Sequence, residues 1–468
     1  MKPNKPRILF IAPLPPPVHG SAMVSQYIKD SELIRGEFDC DFVNLSTSRR
    51  MDEIGKGGAK KLLRFAGSFF LLFYKLLLHR YDLCYLAITC HGVGLLKDAP
   101  FVLLCKLFGR KVVIHQHNKG MSGCIDRWPY RWLIPYIYKR ARVILLSWHL
   151  YPDIAQAVKR EQVVICPNGI RETVSGEQIQ DRKEGLNEKG EMRNEKESTP
   201  SEASLLVSSS PDVKLGSLTL IRYKMTLSHF SKGLIRPVSG GQFSKQEQRD
   251  LTKHYTLNSK HSTLNTKQEH RDLTKPLTAH RSPLTVNLLF LSNLIPSKGV
   301  YVLLDACKML MDRGVAFQCN FVGGESKEMD RRVFEQAVKE RGLEGRVLYH
   351  GPKYGEEKEQ YWRMADVFVF PTFYHNECMP LTILEAMQHG LPVVSTDEGA
   401  VPDMVADGEN GFVCRRKDAE GLAMALERLL LDEALRHRMG AEGYRIYQEK
   451  FTLQCFERRF VECLRRGE

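Results

Sequence analysis

Short runs of β-branched and aromatic residues alternate with helix-compatible stretches in two separate parts of the chain. The first part, residues 7–171, contains the runs RILFIAP, FDCDFVNLS, DLCYLAI, KVVIHQH, ARVILLS and VVICPN. The second part, residues 286–432, contains VNLLFLS, AFQCNFVGG, RVLYHG, DVFVFPT and PVVST. Strands that alternate with helices form parallel sheets with helices on both faces. The sequence therefore predicts two Rossmann-like α/β domains, followed by a helical tail from about residue 433.

The segment between these two parts, residues 172–284, has a different composition. Ser, Thr, Gln, Lys and Glu dominate it, and KQEQRDLTKHYTLNS at 245–259 recurs as KQEHRDLTKPLTAHR at 267–281. Such a stretch buries too little apolar surface to offset the entropy lost on ordering it. We predict a low-complexity, disordered insertion. A nucleic-acid-binding or lipid-binding arm is the less favoured alternative, because the repeat has no interleaved aromatic residues.

The charge balance leaves three classes of partner. The chain has 68 Lys+Arg against 55 Asp+Glu, a formal net charge of +13. Such an excess suits nucleic acid, an anionic membrane surface or a phosphorylated substrate. The insertion has 18 Lys/Arg and 14 Asp/Glu, so it holds only +4 of the excess. The folded parts hold the other +9, and nucleic acid becomes the least favoured partner.

The cysteine pattern and the apolar runs bear on the compartment. The 12 cysteines form no C-x-x-C pair, which argues against a zinc site or a thioredoxin motif. The most apolar stretch, LLRFAGSFFLLFYKLLLHRYDL, is interrupted by Arg64 and Lys75 and falls short of the roughly 20 residues that span a bilayer. We expect a cytoplasmic protein with reduced thiols and without a transmembrane helix.

Two glutamates surround a predicted helix start in the second half. In ECMPLTILEAMQHG, Glu377 precedes a helix that begins near Pro380, and Glu385 lies about one turn inside it. This helix follows the apolar strand DVFVFPT, so it begins at the carboxyl end of a parallel strand, where α/β folds bind ligands. Backbone N–H groups at a helix start can bind phosphate. We expect an anionic ligand to contact Met379, Pro380, Leu381 and Thr382.

A lysine follows another strand of the same predicted sheet. Lys298 and Gly299 stand at the turn into a helix in LFLSNLIPSKGVYVLL. A lysine in this place can meet a diphosphate as a compact charge. Taken alone, Lys298 could be a surface lysine, Glu377 a helix cap and Glu385 a solvated helix residue. Two anion-binding features at one edge of a sheet instead favour a nucleotide diphosphate site.

The ordered set of motifs resembles the retaining glycosyltransferases of family 4, which have the GT-B fold. The resemblance rests on the E-x7-E signature ECMPLTILE, on PSKG at 296–299 and on PNGI at 167–170, and it covers residues 7–171 and 286–465. It implies two Rossmann-like domains that face each other across a cleft. It makes residues 1–171 the acceptor domain and 285–450 the nucleotide-sugar domain, with 451–468 forming a helix that crosses back to the N-terminal domain.

The resemblance also implies roles for the residues of the second half. Glu377 would contact hydroxyls of the donor sugar, Glu385 the nucleotide ribose and Lys298 the diphosphate. The family usually has an arginine five residues before this lysine, whereas this chain has Asn293. This departure removes one positive charge from the grip on the donor phosphates. Enzymes of this fold generally need no metal, so we expect no metal and no cofactor other than the nucleotide sugar itself.

In the first half, the resemblance points to the acceptor and to one wall of the cleft. Gly20 follows His19 where the family often has a glycine pair; it would approach the donor phosphate or the acceptor, and a simple tight turn is the equal alternative. A histidine after the strand KVVIHQH would reach the donor sugar. His115 is the better fit and His117 the second, because strand alternation puts both on one face.

In the second half, the loop after VVST would also lie near the cleft: Asp397, Glu398, Gly399 and Ala400.

The implied function is transfer of a hexose-type sugar from a nucleotide diphosphate to a glycan or lipid-linked acceptor, with retention of configuration. Synthesis of a cell-surface polysaccharide or lipopolysaccharide is the implied setting. One alternative is a sugar-nucleotide epimerase on the same fold, which usually lacks E-x7-E. Another is a basic, non-enzymatic binding protein that acts through the insertion.

The stretch at residues 59–80 also suggests a membrane contact. Basic residues flank and interrupt its apolar side chains, a pattern typical of helices that lie in the membrane interface: Lys60, Lys61, Arg64, Lys75 and Arg80. We expect peripheral contact with the inner membrane face. The alternative is an ordinary helix that covers the sheet, with its lysines solvated.

Overall fold

The structure, a computed structural model, describes residues 5–16, 20–48, 58–173 and 285–466. All but the first two residues of the predicted insertion lie outside this range, as does His19. The described residues form two six-stranded parallel sheets with helices on both faces. The strand–helix alternation of the sequence is therefore present in both halves, which we call the N-terminal and C-terminal lobes after their sheets.

The sheet of the N-terminal lobe has the strand order β2-β1-β3-β4-β5-β6. Its middle strands are buried along nearly their whole length, as continuous apolar runs such as LCYLAI predict for a parallel sheet covered on both faces. The strands are β1 (Arg7–Ala12), β2 (Asp39–Asn44), β3 (Leu83–Ile88), β4 (Lys111–Gln116), β5 (Arg142–Leu145) and β6 (Val163–Ile165). The helices are α1 (Gly20–Asp30), α2 (Glu32–Glu37), α3 (Ala59–Leu78), α4 (Gly92–Leu107) and α5 (Tyr130–Tyr138).

The sheet of the C-terminal lobe has the strand order β12-β11-β10-β7-β8-β9. The strands are β7 (Val286–Leu291), β8 (Phe317–Val322), β9 (Val347–Tyr349), β10 (Val367–Phe370), β11 (Val393–Thr396) and β12 (Gly411–Cys414). The helices are α6 (Val300–Asp312), α7 (Arg331–Glu340), α8 (Gly355–Met364), α9 (Leu381–Gln388), α10 (Val401–Met404), α11 (Ala419–Leu431), α12 (Glu433–Lys450) and α13 (Leu453–Arg465). The strand order reverses between the neighbours β7 and β10, so the crevice beyond their carboxyl ends is the place where such sheets bind ligands.

The last helix, α13, packs on the N-terminal lobe although it follows the C-terminal one. Phe456 and Phe460 are fully buried in the cluster that contains Phe10 and Tyr85, and the Phe460 and Tyr85 rings lie 5.3 Å apart. The chain crosses between the lobes next to Gly169, where a Cβ atom would collide with the carbonyl of Thr452. The final helix therefore joins the N-terminal core and ties the two lobes together.

Helix α3 is the longest helix described in the N-terminal lobe. Leu72 and Leu76 are buried, and the Asp41 carboxylate of β2 accepts hydrogen bonds of 2.7 Å from Lys75 and from the Tyr81 hydroxyl. In the parts of the chain that the structure covers, no helix combines the length and the apolar character needed to cross a bilayer.

Candidate active site

A cleft of about 760 Å³ opens between the carboxyl edges of the two sheets. Its N-terminal wall includes Gly20, His117 and Asn168, and its C-terminal wall includes Asn293 and Lys298. The rest of the predicted loop and helix start line the C-terminal wall as well: Glu377, Met379, Pro380, Leu381 and Thr382. The structure therefore brings most of the predicted site residues from both lobes to one cavity.

Two helix starts face each other across this cleft. Helix α9 begins at Leu381 directly after Pro380, and α1 begins at Gly20 on the opposite wall. A Cβ atom at Gly20 would lie 4.0 Å from the Leu381 side chain. Helix N-termini carry a partial positive charge and unpaired N–H groups. The arrangement suits a ligand with negative charge at this point of the cleft.

Glu377 and Lys298 form an ion pair at the switch point of the C-terminal sheet. Their loops follow β10 and β7, which are neighbouring strands. Glu377 is only 8% exposed and also accepts a 3.5 Å hydrogen bond from the Thr372 hydroxyl. The Lys298 ammonium lies 4.7 Å from the centre of the Tyr374 ring. The lysine is thus held over a buried carboxylate and an aromatic face at the cleft wall.

The glycine after Lys298 is required by the backbone. Gly299 has φ of +91° and stands so close to the chain that a Cβ atom would strike the carbonyl of Pro371. The loop after β7 therefore packs directly against the loop after β10. This contact sets the distance between Lys298 and Glu377.

Glu385 lies behind the start of α9. Its hydrogen-bond partner is Lys358, a residue that no sequence motif pointed to. The Oε1 atom of Glu385 accepts a 2.7 Å hydrogen bond from Lys358 of α8, and Lys358 itself lines the cleft. The other carboxylate oxygen of Glu385 is buried and has no hydrogen-bond partner among the described residues. Glu385 itself, the predicted ribose contact, is not among the described residues that line the cleft; its Lys358 partner is.

His115 does not line the cleft, contrary to expectation. It is fully buried, shares a 2.8 Å hydrogen bond between Nδ1 and the Tyr85 hydroxyl, and stacks on Phe460 of α13. Burial, together with the neighbouring His117, holds the pKa of His115 well below its usual range. His117, two residues further on, lines the cleft, and the two rings are 4.0 Å apart. The two histidines are neighbours, as alternation predicted, but His115 lies one layer deeper.

Asn293 lines the cleft but its side chain is engaged elsewhere. Its Oδ1 atom accepts a 3.0 Å hydrogen bond from the backbone N–H of Gly324, in the loop after β8. This side chain therefore fixes a neighbouring loop and brings no positive charge to the cleft.

The loop after β11 supports the site from behind. The Ala400 N–H donates a 2.6 Å hydrogen bond to the Cys378 carbonyl, and a Cβ atom at Gly399 would meet the Glu377 and Cys378 carbonyls. Glu398 is 2% exposed and is paired with Arg416, at 3.0 Å, and with Lys119 of the N-terminal lobe. Neither this glutamate nor Asp397 lines the cleft.

Sequence reasoning missed Lys358 and Lys119. Neither stands out from its local sequence. Lys358 reaches the cleft wall through the contact of α8 with α9, and Lys119 pairs with Glu398 behind the site. For Lys358, a basic residue in the first turn of the helix before DVFVFPT was visible, but nothing in the sequence shows that α8 and α9 lie side by side.

Residues 284–446 match the sequence model of the family described as glycosyl transferases group 1. The chain is 31% identical over 153 residues to an amylovoran biosynthesis glycosyltransferase of Erwinia amylovora, which covers 32% of this chain and 37% of that protein. It is 30% identical over 208 residues to a D-inositol 3-phosphate glycosyltransferase of Corynebacterium aurimucosum, which covers 42% and 49%. The chain therefore matches less than half the length of these curated relatives.

Solved structures share the whole fold. HepE of Anabaena, solved in complex with UDP-glucose, has a TM-score of 0.59 at 16% identity, with 98% of this chain and 99% of that chain covered. The lipopolysaccharide outer core galactosyltransferase WaaB has a TM-score of 0.58 at 15% identity, with 99% and 100% covered. The predicted GT-B fold, with its two Rossmann-like domains, is confirmed. The chain has the GT-B fold, and its match to glycosyl transferases group 1, with these relatives, supports a glycosyltransferase.

Proposed function

We propose that this protein is a retaining glycosyltransferase that moves a sugar from a nucleotide-diphosphate donor to a glycan or lipid-linked acceptor. Its setting in this proposal is the synthesis of a cell-surface polysaccharide or lipopolysaccharide. The names of relatives include amylovoran biosynthesis in Erwinia amylovora, colanic acid biosynthesis in Salmonella typhimurium and capsular polysaccharide biosynthesis in Staphylococcus aureus. HepE, which shares the fold, was solved with UDP-glucose, so UDP-hexoses are the first donors to test.

The observation that carries this proposal is the Lys298–Glu377 pair beside the two facing helix starts. A diphosphate placed between the start of α1 and the start of α9 would meet two positive helix ends and the Lys298 ammonium. Charge that develops on a leaving diphosphate is stabilised best by groups already fixed in place. Lys298 is fixed in this way by Glu377 and by the Tyr374 ring.

The donor sugar then extends past the diphosphate toward Glu377, whose carboxylate accepts hydrogen bonds from its hydroxyls. Glu385 accepts from the ribose. The acceptor hydroxyl attacks on the face of the leaving group, so a bond forms from acceptor oxygen to anomeric carbon while the bond from that carbon to phosphate breaks. The leaving phosphate takes the acceptor proton. Configuration is retained because entry and departure use the same face.

Site variants with product analysis test this proposal. Glu377→Gln and Lys298→Met should each lower turnover by about 100-fold or more, the usual cost of losing one fixed charge-stabilising group. Lys308→Met, which breaks the exposed Lys308–Asp312 pair, is the matched control and should leave turnover unchanged. The anomeric configuration of the product, read by NMR, should equal that of the donor. Turnover in Glu377→Gln like that of wild type, or an inverted product, would refute the assignment.

We also propose that the reaction needs no metal. The positive charge that a metal would bring to the diphosphate is supplied here by lysine side chains and helix starts at the cleft wall. Turnover should therefore persist in excess EDTA. If EDTA abolished turnover and added Mg²⁺ restored it, metal independence would be contradicted.

One surface of the N-terminal lobe is the membrane contact that we propose. Helix α3 exposes a continuous set of large apolar side chains: Leu62, Leu63, Phe70, Leu71, Phe73, Tyr74, Leu77 and Leu78. Helix α4 packs between α3 and α5 and adds Leu107, while the α5 region adds Trp128, Trp132 and Tyr136. Apolar patches of this kind on a monomer mark interaction surfaces, and Trp and Tyr concentrate at membrane interfaces.

Exposed basic residues lie on or beside the same helices, which favours an anionic lipid layer over a protein partner. Lys60 is on α3, Arg131 is on α5, and Arg127 and Arg140 lie on either side of α5. Contact with the inner leaflet would place the enzyme on the cytoplasmic face, beside a lipid-linked acceptor. In flotation, the protein should rise with vesicles that contain phosphatidylglycerol and less with pure phosphatidylcholine, and Phe70→Ser with Trp132→Ser should abolish this. Equal recovery of both proteins in the bottom fraction would refute the contact.

A further inference from the structure

We propose that Lys358 is a second diphosphate-binding cation, which leaves Glu385 for a ligand phosphate when the nucleotide binds. This inference rests on the proposed function and deepens it. Within the described residues, the cations that line the cleft are Lys97, Lys298 and Lys358. Lys97 belongs to the N-terminal wall, so the wall that carries the α9 start offers two lysines.

Each of these two lysines is paired with one of the two glutamates of the E-x7-E motif. Lys298 pairs with Glu377, and Lys358 pairs with Glu385 at 2.7 Å. Each ammonium is thus neutralised by a carboxylate. A nucleoside diphosphate supplies two or more negative charges to the lysines and hydroxyl donors to the glutamates. The Lys358–Glu385 pair can therefore exchange partners, because both side chains are partly exposed: a phosphate takes the ammonium and ribose hydroxyls donate to the carboxylate, while Lys298 stays on Glu377.

The reach of Lys358 suits this exchange. Glu385 lies four residues after Leu381, which is about 6 Å along the helix axis. A lysine side chain is about as long as this rise and rotates freely, so its ammonium can move from Glu385 to the first turn of α9. Its side chain is 28% exposed and lines the cleft, so it has room to move.

Lys358 is not needed to hold α8 against α9. The neighbouring residue Glu359 forms a 2.7 Å hydrogen bond with His389, whose ring is nearly buried and stacks on Trp362 at 5.4 Å. The hydrogen bond from His389 keeps the pKa of Glu359 below its usual range. This second link joins the same two helices, which leaves the Lys358–Glu385 pair available for the ligand.

A second cation matters on this wall because Asn293 brings no positive charge to it. Asn293 lines the same wall, and its side chain binds the Gly324 N–H and carries no charge. Without Lys358, a diphosphate on this wall would meet one ammonium only. Charge-assisted hydrogen bonds from a second cation strengthen phosphate binding severalfold or more.

Titration of UDP, GDP and ADP into the full-length protein tests this inference, with the parent nucleoside of the preferred ligand as the phosphate-free probe. Lys358→Gln should weaken the diphosphate by about tenfold and the nucleoside by less than about twofold. Lys358→Arg should retain affinity, and adding Asn293→Arg to Lys358→Gln should recover most of the loss. Lys353→Gln is the matched control, because Lys353 is similarly exposed, pairs with Glu357 and does not line the cleft.

Two outcomes would overturn the role of Lys358 and leave the proposed function standing. One is Lys358→Gln affinity equal to that of wild type. The other is an equal loss for diphosphate and nucleoside, which would mean that Lys358 only orients Glu385 toward the ribose. If wild-type protein binds none of the three diphosphates, the proposed function fails and this inference falls with it. Far-UV circular dichroism of each variant separates lost binding from lost folding.

Discussion

At the residue scale, the site is built from buried and partly buried charges that already have partners. Glu377 with Lys298 and Glu385 with Lys358 are pairs in which each carboxylate can later accept ligand hydroxyl groups. Removing one partner would leave a charge exposed to a poorly solvating environment, which is costly. The isosteric change Glu377→Gln also removes the countercharge of Lys298, but its amide oxygen can still accept a hydrogen bond from that ammonium, so it is a better probe than removal of the whole side chain.

The sequence revealed these residues unequally. Glu377 and Lys298 were found because each stands in a short motif after a strand, where position along the chain sets position at the sheet edge. His115 was placed at the cleft in error, since strand alternation gives the face of a side chain and not its depth. Lys358 and Lys119 depend on which elements pack together, which no local pattern of this sequence shows.

The buried His115 gives a pH prediction at this scale. Burial lowers its pKa in the folded protein, so below about pH 6.5 the unfolded chain binds a proton that the folded protein does not. This difference does not lower the free energy of unfolding above about pH 6.5. Below that pH it lowers the free energy of unfolding by up to about 1.4 kcal/mol for each pH unit. We expect the free energy of unfolding, measured with a chemical denaturant, to fall less between pH 7.5 and pH 5.5 for His115→Asn than for wild type.

His115→Asn keeps an acceptor for the Tyr85 hydroxyl, so the comparison isolates the titration. Histidines that do not contact His115 contribute equally to both proteins and cancel, and measuring both proteins in a His117→Asn background removes the neighbouring imidazole. Identical pH dependence of wild type and variant would show that His115 stays neutral in both states or is accessible to water.

At the element scale, the predictable strands were those buried on both faces. Runs such as LCYLAI and VFVF appear in the structure as β3 and β10, with every residue buried. The strand β12 was not predicted, because GFVC is short, begins with glycine and lies at the edge of its sheet. Gly411 has a tertiary reason: a Cβ atom there would strike the carbonyl of Val393 in β11.

We expect helix α13 to contribute to the stability of the N-terminal lobe. Phe460 is fully buried among Phe10, Tyr85 and His115, so Phe460→Ala should lower the free energy of unfolding by about 3–5 kcal/mol. Arg458→Ala, on the exposed side of the same helix, is the control and should change it by less than about 0.5 kcal/mol. Similar thermal or chemical unfolding of both variants would show that α13 does not contribute to the N-terminal core.

At the scale of the whole molecule, the two lobes meet through specific polar contacts around the cleft. Lys119 of the N-terminal lobe pairs with Glu398 of the C-terminal lobe, and the Asn168 N–H donates a 3.2 Å hydrogen bond to the sulfur of Met379. The two-lobed architecture followed from the repeated alternation in the sequence. The contacts between the lobes could not be predicted from the sequence, because they join residues more than 200 positions apart.

The segment between the lobes gives a prediction of its own. The described residues that line the cleft all belong to the two lobes, and the proposed chemistry uses none from 174–284. Replacing residues 174–284 by a flexible Gly/Ser linker long enough to join the lobes should leave sugar transfer within about twofold of wild type. Loss of transfer in a variant that still binds the nucleotide would show that this segment takes part in acceptor recognition.

The central claim is that the cleft binds a nucleoside diphosphate through Lys298 and the α9 start. Isothermal titration of wild type and Lys298→Met with UDP, GDP and ADP tests it most directly. The claim predicts that wild type binds one of the three preferentially and without metal, and that Lys298→Met binds that ligand at least about tenfold more weakly. Failure of wild type to bind any of them, or equal binding by the variant, would contradict it.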